Sequence, residues 1–131
     1  MSEPNADRAA LQRIVDSVIS RLGERVRLVR KTVSIGDWQP RAQECHDNVA
    51  RWVAGNPEHK HVFGFVLFDY RLLNGCIRIS AHSVVEDENR TLCDITPHEM
   101  SADYPFIRHI GSTDDFAVLV NQRDGSVDAP I

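Results

Sequence analysis

The chain has 131 residues, 42% of them hydrophobic and 26% charged, with a net charge of −4; this fits a single domain over 1–131 with enough apolar side chains for a core. Acids and bases are mixed, and no basic patch carries interleaved aromatics, which argues against a nucleic-acid partner. The longest apolar run, Val62–Phe68, is too short for a membrane span, and the polar start Met1–Ala6 lacks a signal-peptide pattern, so a cytoplasmic protein without a membrane partner is expected.

In chain order, the clearest periodicity lies over 7–22. Leu11, Ile14, Val15, Val18, Ile19 and Leu22 form one apolar stripe, which predicts a core-packing helix. Asn5 or Asp7 suits its start and Gly23 its end. Residues 1–6 are expected to fray. Over 25–34, Val26 and Leu28 alternate with Arg25, Arg27 and Val29, the pattern of a strand with one wet face. Gly36-Asp37-Trp38-Gln39-Pro40 breaks it. A second helix is predicted from Pro40 or Ala42 to Ala54, with Cys45, Val49, Trp52 and Val53 on one face and Gly55 as its cap.

Strands follow. His61–Asp69 is nearly continuous apolar sequence, as in a central strand. Asn74-Gly75 predicts a two-residue turn. Cys76–Val85 returns with Ile77, Ile79 and Ala81 on one face and Arg78, Ser80, His82 and Val84 on the other. Glu86–Arg90 is a charged turn and Thr91–Thr96 a short strand ended by Pro97. The segment 98–115 reads as irregular, with one helical turn near His98–Ala102. Residues 116–121 read as a last strand and 123–131 as a frayed tail. The order predicts an α+β fold: an antiparallel sheet of about five strands with two main helices packed on it.

Three cysteines at spacings of 31 and 17 residues match no zinc or redox motif. Cys76 and Cys93 sit in apolar strand contexts, where an inert thiol is expected. Cys45 differs, because Gln43, Glu44, His46, Asp47 and Asn48 surround it at a helix start, where the dipole lowers a thiol pKa. A turn centred on residue 88 sets His82 opposite Asp94, with Cβ atoms about 4.5–5.5 Å apart on one sheet face. Cys45 is then a candidate nucleophile, His82 its proton carrier and Asp94 the group that orients the ring. The Cys45 N–H and the side-chain amide of Gln39 or Gln43 are candidate oxyanion donors. Around them, Trp38 either packs or lines the cleft, and His46 faces its rim or solvent. Asn48 either touches the site or caps the helix. Cys45, His46, His82, Asp94 and His98 are also the residue types that zinc prefers. The adjacency of Cys45 and His46 and the absence of a tight ligand pair argue against a metal, and no cofactor motif is present. His59 and His61 are assigned no role.

With these residues in place, the layout resembles the papain-like and transglutaminase-like cysteine enzymes. Those place a cysteine at a helix start, then a histidine and an aspartate or asparagine on consecutive strands. The matching positions are Cys45, His82 and Asp94, and Gln39 stands six positions before the cysteine, where papain-like enzymes carry an oxyanion-hole glutamine. The segments Glu44-Cys-His-Asp-Asn-Val49, Ala81-His-Ser-Val84 and Asp94-Ile-Thr-Pro97 are also similar to a group of small uncharacterised bacterial proteins. The resemblance covers roughly residues 38–97, and His46 stands where a tryptophan often follows the papain cysteine. It implies a papain-like core and a hydrolase or acyltransferase acting on an amide or thioester-type bond of a small molecule or peptide, without a cofactor. The alternatives are a non-catalytic binding module on the same fold and, third, a zinc-dependent hydrolase.

Overall fold

A computed structural model describes residues 4–97 and 104–131. The N-terminal stripe folds as helix α1, Pro4–Ser20, followed by a 3-10 turn at Leu22–Glu24. The helix starts earlier than its cap signals suggest, because proline is well suited to the first helical position. Residues 4–6, expected to fray, are therefore helical, and Gly23 lies inside the 3-10 turn. The expected strand over 25–34 shrinks to β1, Val29–Arg30, and a single bridge between Val26 and Phe106. Val26 and Val29 stay exposed, so too little apolar surface is buried to hold a longer strand. Helix α2, Cys45–Gly55, starts at the cysteine itself, not at Pro40 or Ala42.

Strands β2, Lys60–Tyr70, and β3, Cys76–Glu86, pair over their whole length. They are joined by a helical turn, α3, Arg71–Asn74, in place of the expected two-residue turn; Gly75 closes it at φ +74, a backbone state glycine adopts without penalty. Strand β4, Leu92–Asp94, follows. The stretch 98–103, including His98 and the helical turn expected near His98–Ala102, lies outside the described residues. Strand β5, Phe106–Arg108, is an element the sequence did not signal.

Two expectations for the C-terminal part are corrected. The segment read as a last strand is helix α4, Thr113–Val120. Ser112 caps it by accepting the Asp115 N–H at 3.1 Å, Asp114 and Asp115 complement the helix dipole, and Phe116 and Leu119 are buried three residues apart. A short apolar run fits helix and strand equally well by period, and the cap decides it. The expected tail carries β6, Ser126–Pro130, which pairs with Cys76–Ser80 of β3. Ala129 is fully buried there, and Arg78 binds Asp128 at 2.9 Å.

The fold is α+β, with a mixed open sheet of six strands in the order β1-β4-β3-β2-β5 and β6 also on β3. It is mixed because β1 runs parallel to β4, where a purely antiparallel sheet of about five strands was expected. One face carries Phe65, Leu67, Ile77 and Ile79 against Ile14 and Val18 of α1 and Phe116 and Leu119 of α4. Further along that face, Val49 of α2 packs with Val85 and Ile95. The other face buries Val62, Val84 and Phe106, with Leu28 packed against them. Among the described residues no helix is long and apolar enough to cross a membrane.

Candidate active site

The β3–β4 hairpin sets the first relationship. Its ladder pairs Val85 with Cys93 and Glu86 with Leu92. Continued, that register sets Val84, not His82, opposite Asp94. The reason is the turn. The Asp87 carboxylate accepts the N–H groups of Asn89 and Thr91, both at 2.9 Å, and the Asp87 N–H donates to the Thr91 carbonyl at 3.0 Å. The loop therefore centres on residue 89, one later than expected. His82 and Asp94 become diagonal neighbours, and because the offset between them is two residues they keep the same face. His82 Nε2 meets Asp94 Oδ2 at 3.1 Å, and both residues are buried. The other carboxylate oxygen, Oδ1, accepts the Thr96 N–H at 3.2 Å.

Helix α2 is tied to the same place. Asn48, buried at 3% exposure, donates to Thr96 Oγ1 at 3.1 Å and to the Arg41 carbonyl at 2.7 Å, and its Oδ1 accepts the Arg41 N–H at 3.0 Å. One side chain thus joins the loop before α2, the helix and the end of β4. Gln43, in that loop, takes a left-handed φ of +65, a strained state for a non-glycine residue that turns the chain into the helix.

Cys45 is the first residue of α2 and half-buried. Burial alone would push its thiol up. Hydrogen bonds with His46 and then His82, and attraction to both rings, outweigh burial and bring the thiol down to about 6. For His82, burial alone would push the ring down; hydrogen bonds with Asp94 and then Cys45, and the charges of both, raise it to about 9. With Asp94 on Nε2, Nδ1 is the ring nitrogen that serves the thiol. Between those two values the pair is a thiolate and an imidazolium, with the ring buried and the thiol half-buried.

A second imidazole chain starts at the next residue of α2. His46 Nδ1 lies 2.6 Å from Ser83 Oγ, and His61 Nε2 lies 2.9 Å from that same oxygen. Ser83 has no exposed surface. A hydroxyl has a single proton and two lone pairs, so at most one ring accepts from Ser83 and at least one donates to it. Burial, then the nearby His46, pushes His61 down and favours its neutral form. Consecutive residues of α2 thus reach His82 and Ser83, which are consecutive on β3 and leave the sheet on opposite faces. The strand edge makes this possible: β6 pairs with β3 only as far as Ser80 and β4 only from Val85, leaving 81–84 open on that side.

The structure therefore brings together Cys45, His46, His82 and Asp94, with Asn48 as the tie behind them. Gln39 is exposed and lies on the Asp94 side, in a groove with Arg30, Lys31 and Thr96. Trp38 stacks under the Arg51 guanidinium at 5.2 Å. Ser83, not singled out in the sequence, and His61, assigned no role there, belong to the cluster; their signal was the alternation that puts His61, Phe63 and Ser83 on one sheet face. Burial pushes the Cys93 thiol up, in keeping with an inert cysteine. Among the described residues no group of three or more His, Cys, Asp or Glu side chains is arranged to hold a metal ion. Set against protein-family models, curated proteins and solved structures, the chain matches none.

Proposed function

We propose that the protein is a cysteine-nucleophile hydrolase or acyltransferase acting on an amide or thioester-type bond, with Cys45, His82 and Asp94 as its catalytic residues. The observation that carries this reading is a thiol at about 6 beside an imidazole at about 9 whose far nitrogen is held by a buried carboxylate. A nucleophile needs such an arrangement, because the thiolate is the attacking form and the imidazolium is the acid for the leaving group.

The reaction runs in two halves. The Cys45 thiolate attacks the substrate carbonyl carbon, forming a C–S bond while the carbonyl electrons move onto oxygen. First-turn N–H groups of α2, Cys45 among them, are the donors for that oxyanion. As the oxyanion collapses, the bond to the leaving nitrogen or sulfur breaks and the His82 imidazolium gives its proton to that atom. Neutral His82 then takes a proton from water, or from an acceptor nucleophile, which attacks the thioester and releases Cys45. Asp94 holds the ring in place and stabilises its charged form throughout. This reading includes the papain-like arrangement of a helix-start cysteine over a sheet histidine, a small-molecule or peptide substrate, and a reducing cytoplasmic setting for a free reactive thiol.

The test is acylation by p-nitrophenyl acetate, followed by p-nitrophenol release and intact mass. The expected result is an acetyl group on Cys45 that forms and hydrolyses over repeated turnovers, is absent in Cys45→Ala, and forms at least about tenfold more slowly in His82→Ala. Acetylation that is no faster than at Cys76, or indifferent to His82, overturns the reading and leaves a binding module.

A further inference from the structure

The His46 end of the cluster opens on an apolar cleft of about 280 Å³. Its walls are Phe63 of β2 and Phe116, Ala117 and Val120 of α4. Phe63 and Val120 are 40% and 37% exposed, apolar surface that the fold itself leaves uncovered. The Phe116 ring meets His46 edge-on at 5.8 Å, Phe63 at 5.2 Å and His109 at 5.3 Å, so the cleft is walled by aromatic rings. Its remaining polar side chains, Thr113 and Asn121, are neutral.

We propose that this cleft receives the acyl portion of the substrate, and that the group it selects is an uncharged aromatic or branched aliphatic one. The inference rests on Cys45 being the acyl acceptor, as argued above. His46 follows Cys45 at the start of α2 and also lines the cleft, so the two sites are one residue apart. The direction follows from proton transfer: the leaving atom must lie against His82 to be protonated, which turns the acyl group the other way, toward His46. The groove on the opposite side, with Arg30, Lys31 and Gln39, reaches the cluster only through Asp94, whose two oxygens are already engaged by His82 and Thr96. Size and polarity set the class. The cleft is roughly twice the cavity of about 150 Å³ that accepts one benzene ring. Ring edges favour an aromatic guest. An ammonium placed there would lose its water and find no carboxylate among the lining side chains, and a carboxylate would find only the imidazoles of His46 and His109.

Three p-nitrophenyl esters with one leaving group test this: acetate, phenylacetate and hemisuccinate, each acylation rate divided by the ester's rate with free N-acetylcysteine. The expected order is phenylacetyl above acetyl by about 10- to 100-fold, with succinyl lowest. Filling the cleft with Ala117→Phe or Val120→Trp is expected to bring the phenylacetyl-to-acetyl ratio down at least about tenfold. The wild-type ester series needs no variant to fold. A wild-type ratio near one, with acetylation of Cys45 intact, overturns this inference alone, as does a preference that survives in folded filled variants. Failure of all three esters to acylate Cys45 overturns the hydrolase reading and this inference with it.

Discussion

His82 and Asp94 meet diagonally across β3 and β4, Nε2 to Oδ2 at 3.1 Å, in a site with almost no solvent contact. The charge on Asp94 is what supports an imidazolium there, and the imidazolium supports the thiolate. Asp94→Asn keeps the shape and an acceptor but removes the charge. Its expected effect is to raise the pH midpoint of Cys45 alkylation by iodoacetamide from near 6 by about one unit or more. Peptide mapping separates Cys45 from Cys76 and Cys93. An unchanged midpoint would remove Asp94 from the catalytic assignment.

The same pair makes a signed prediction for stability. The Cys45 thiol is depressed in the folded state, so its contribution is complete above the unfolded thiol value and is lost as pH falls through about 6. The His82 ring is raised, so its contribution is complete below the unfolded histidine value and is lost as pH rises through about 9. In the wild type the two trends oppose each other across that window and largely cancel. Cys45→Ala removes the rising one together with the part of the His82 shift that Cys45 causes. Its stability relative to wild type should therefore fall as pH rises above the unfolded histidine value, until the variant's His82 has lost its proton, in urea titrations. A constant difference over that range would mean that the two groups do not titrate as a pair.

Asn48→Ala is expected to destabilise the fold by about 1–3 kcal/mol, because it leaves buried partners without hydrogen bonds. The Arg41 backbone and Thr96 Oγ1 both lose their link to α2. If Asn48 positions the helix start as well as stabilising it, alkylation of Cys45 at pH 7 should also slow in protein that remains fully folded. Urea midpoints and labelling rates, measured on one preparation, distinguish the two effects. A loss of stability with an unaltered labelling rate would confine Asn48 to a structural role.

Truncation after Gly125 removes β6, and with it five ladder residues and the Ile131 N–H bond to the Gly75 carbonyl. At about 1 kcal/mol net for each hydrogen bond, several kcal/mol are at stake in a fold whose total stability is of order 5–15 kcal/mol. The truncated chain should melt well below wild type. A melting temperature unchanged by the deletion would show that this segment is the dispensable tail its sequence suggested.

What the sequence made legible follows the length of each pattern. The α1 stripe runs through three turns and the β2 and β3 strands through 11 residues each, and all three stand where periodicity places them, within a few residues. The link between His82 and Asp94 could be anticipated even with the wrong register, because an even offset conserves the face. The correct centre was also encoded, in the spacing of Asp87, Asn89 and Thr91 that lets one carboxylate close the turn. Helix α4 was missed because its evidence lies before the apolar run, in Ser112 and the two aspartates, and not inside it. The contact of His46 and His61 through Ser83 joins residues 37 and 22 positions apart. No local pattern announces a contact made by tertiary packing.

The sheet order has one more consequence, for how copies of the chain behave at high concentration. Among the described residues, the strands that end the sheet are β1, two residues long, β5, three residues long, and β6, five residues long and closed by Pro130. The 11-residue strands β2 and β3 lie between them and pair with each other throughout. A neighbouring molecule thus meets only short stretches of unpaired backbone at the terminal strands, too little to template edge-to-edge growth. The most aggregation-prone sequence in the chain, Val62–Phe68, sits in β2, where folding sequesters it.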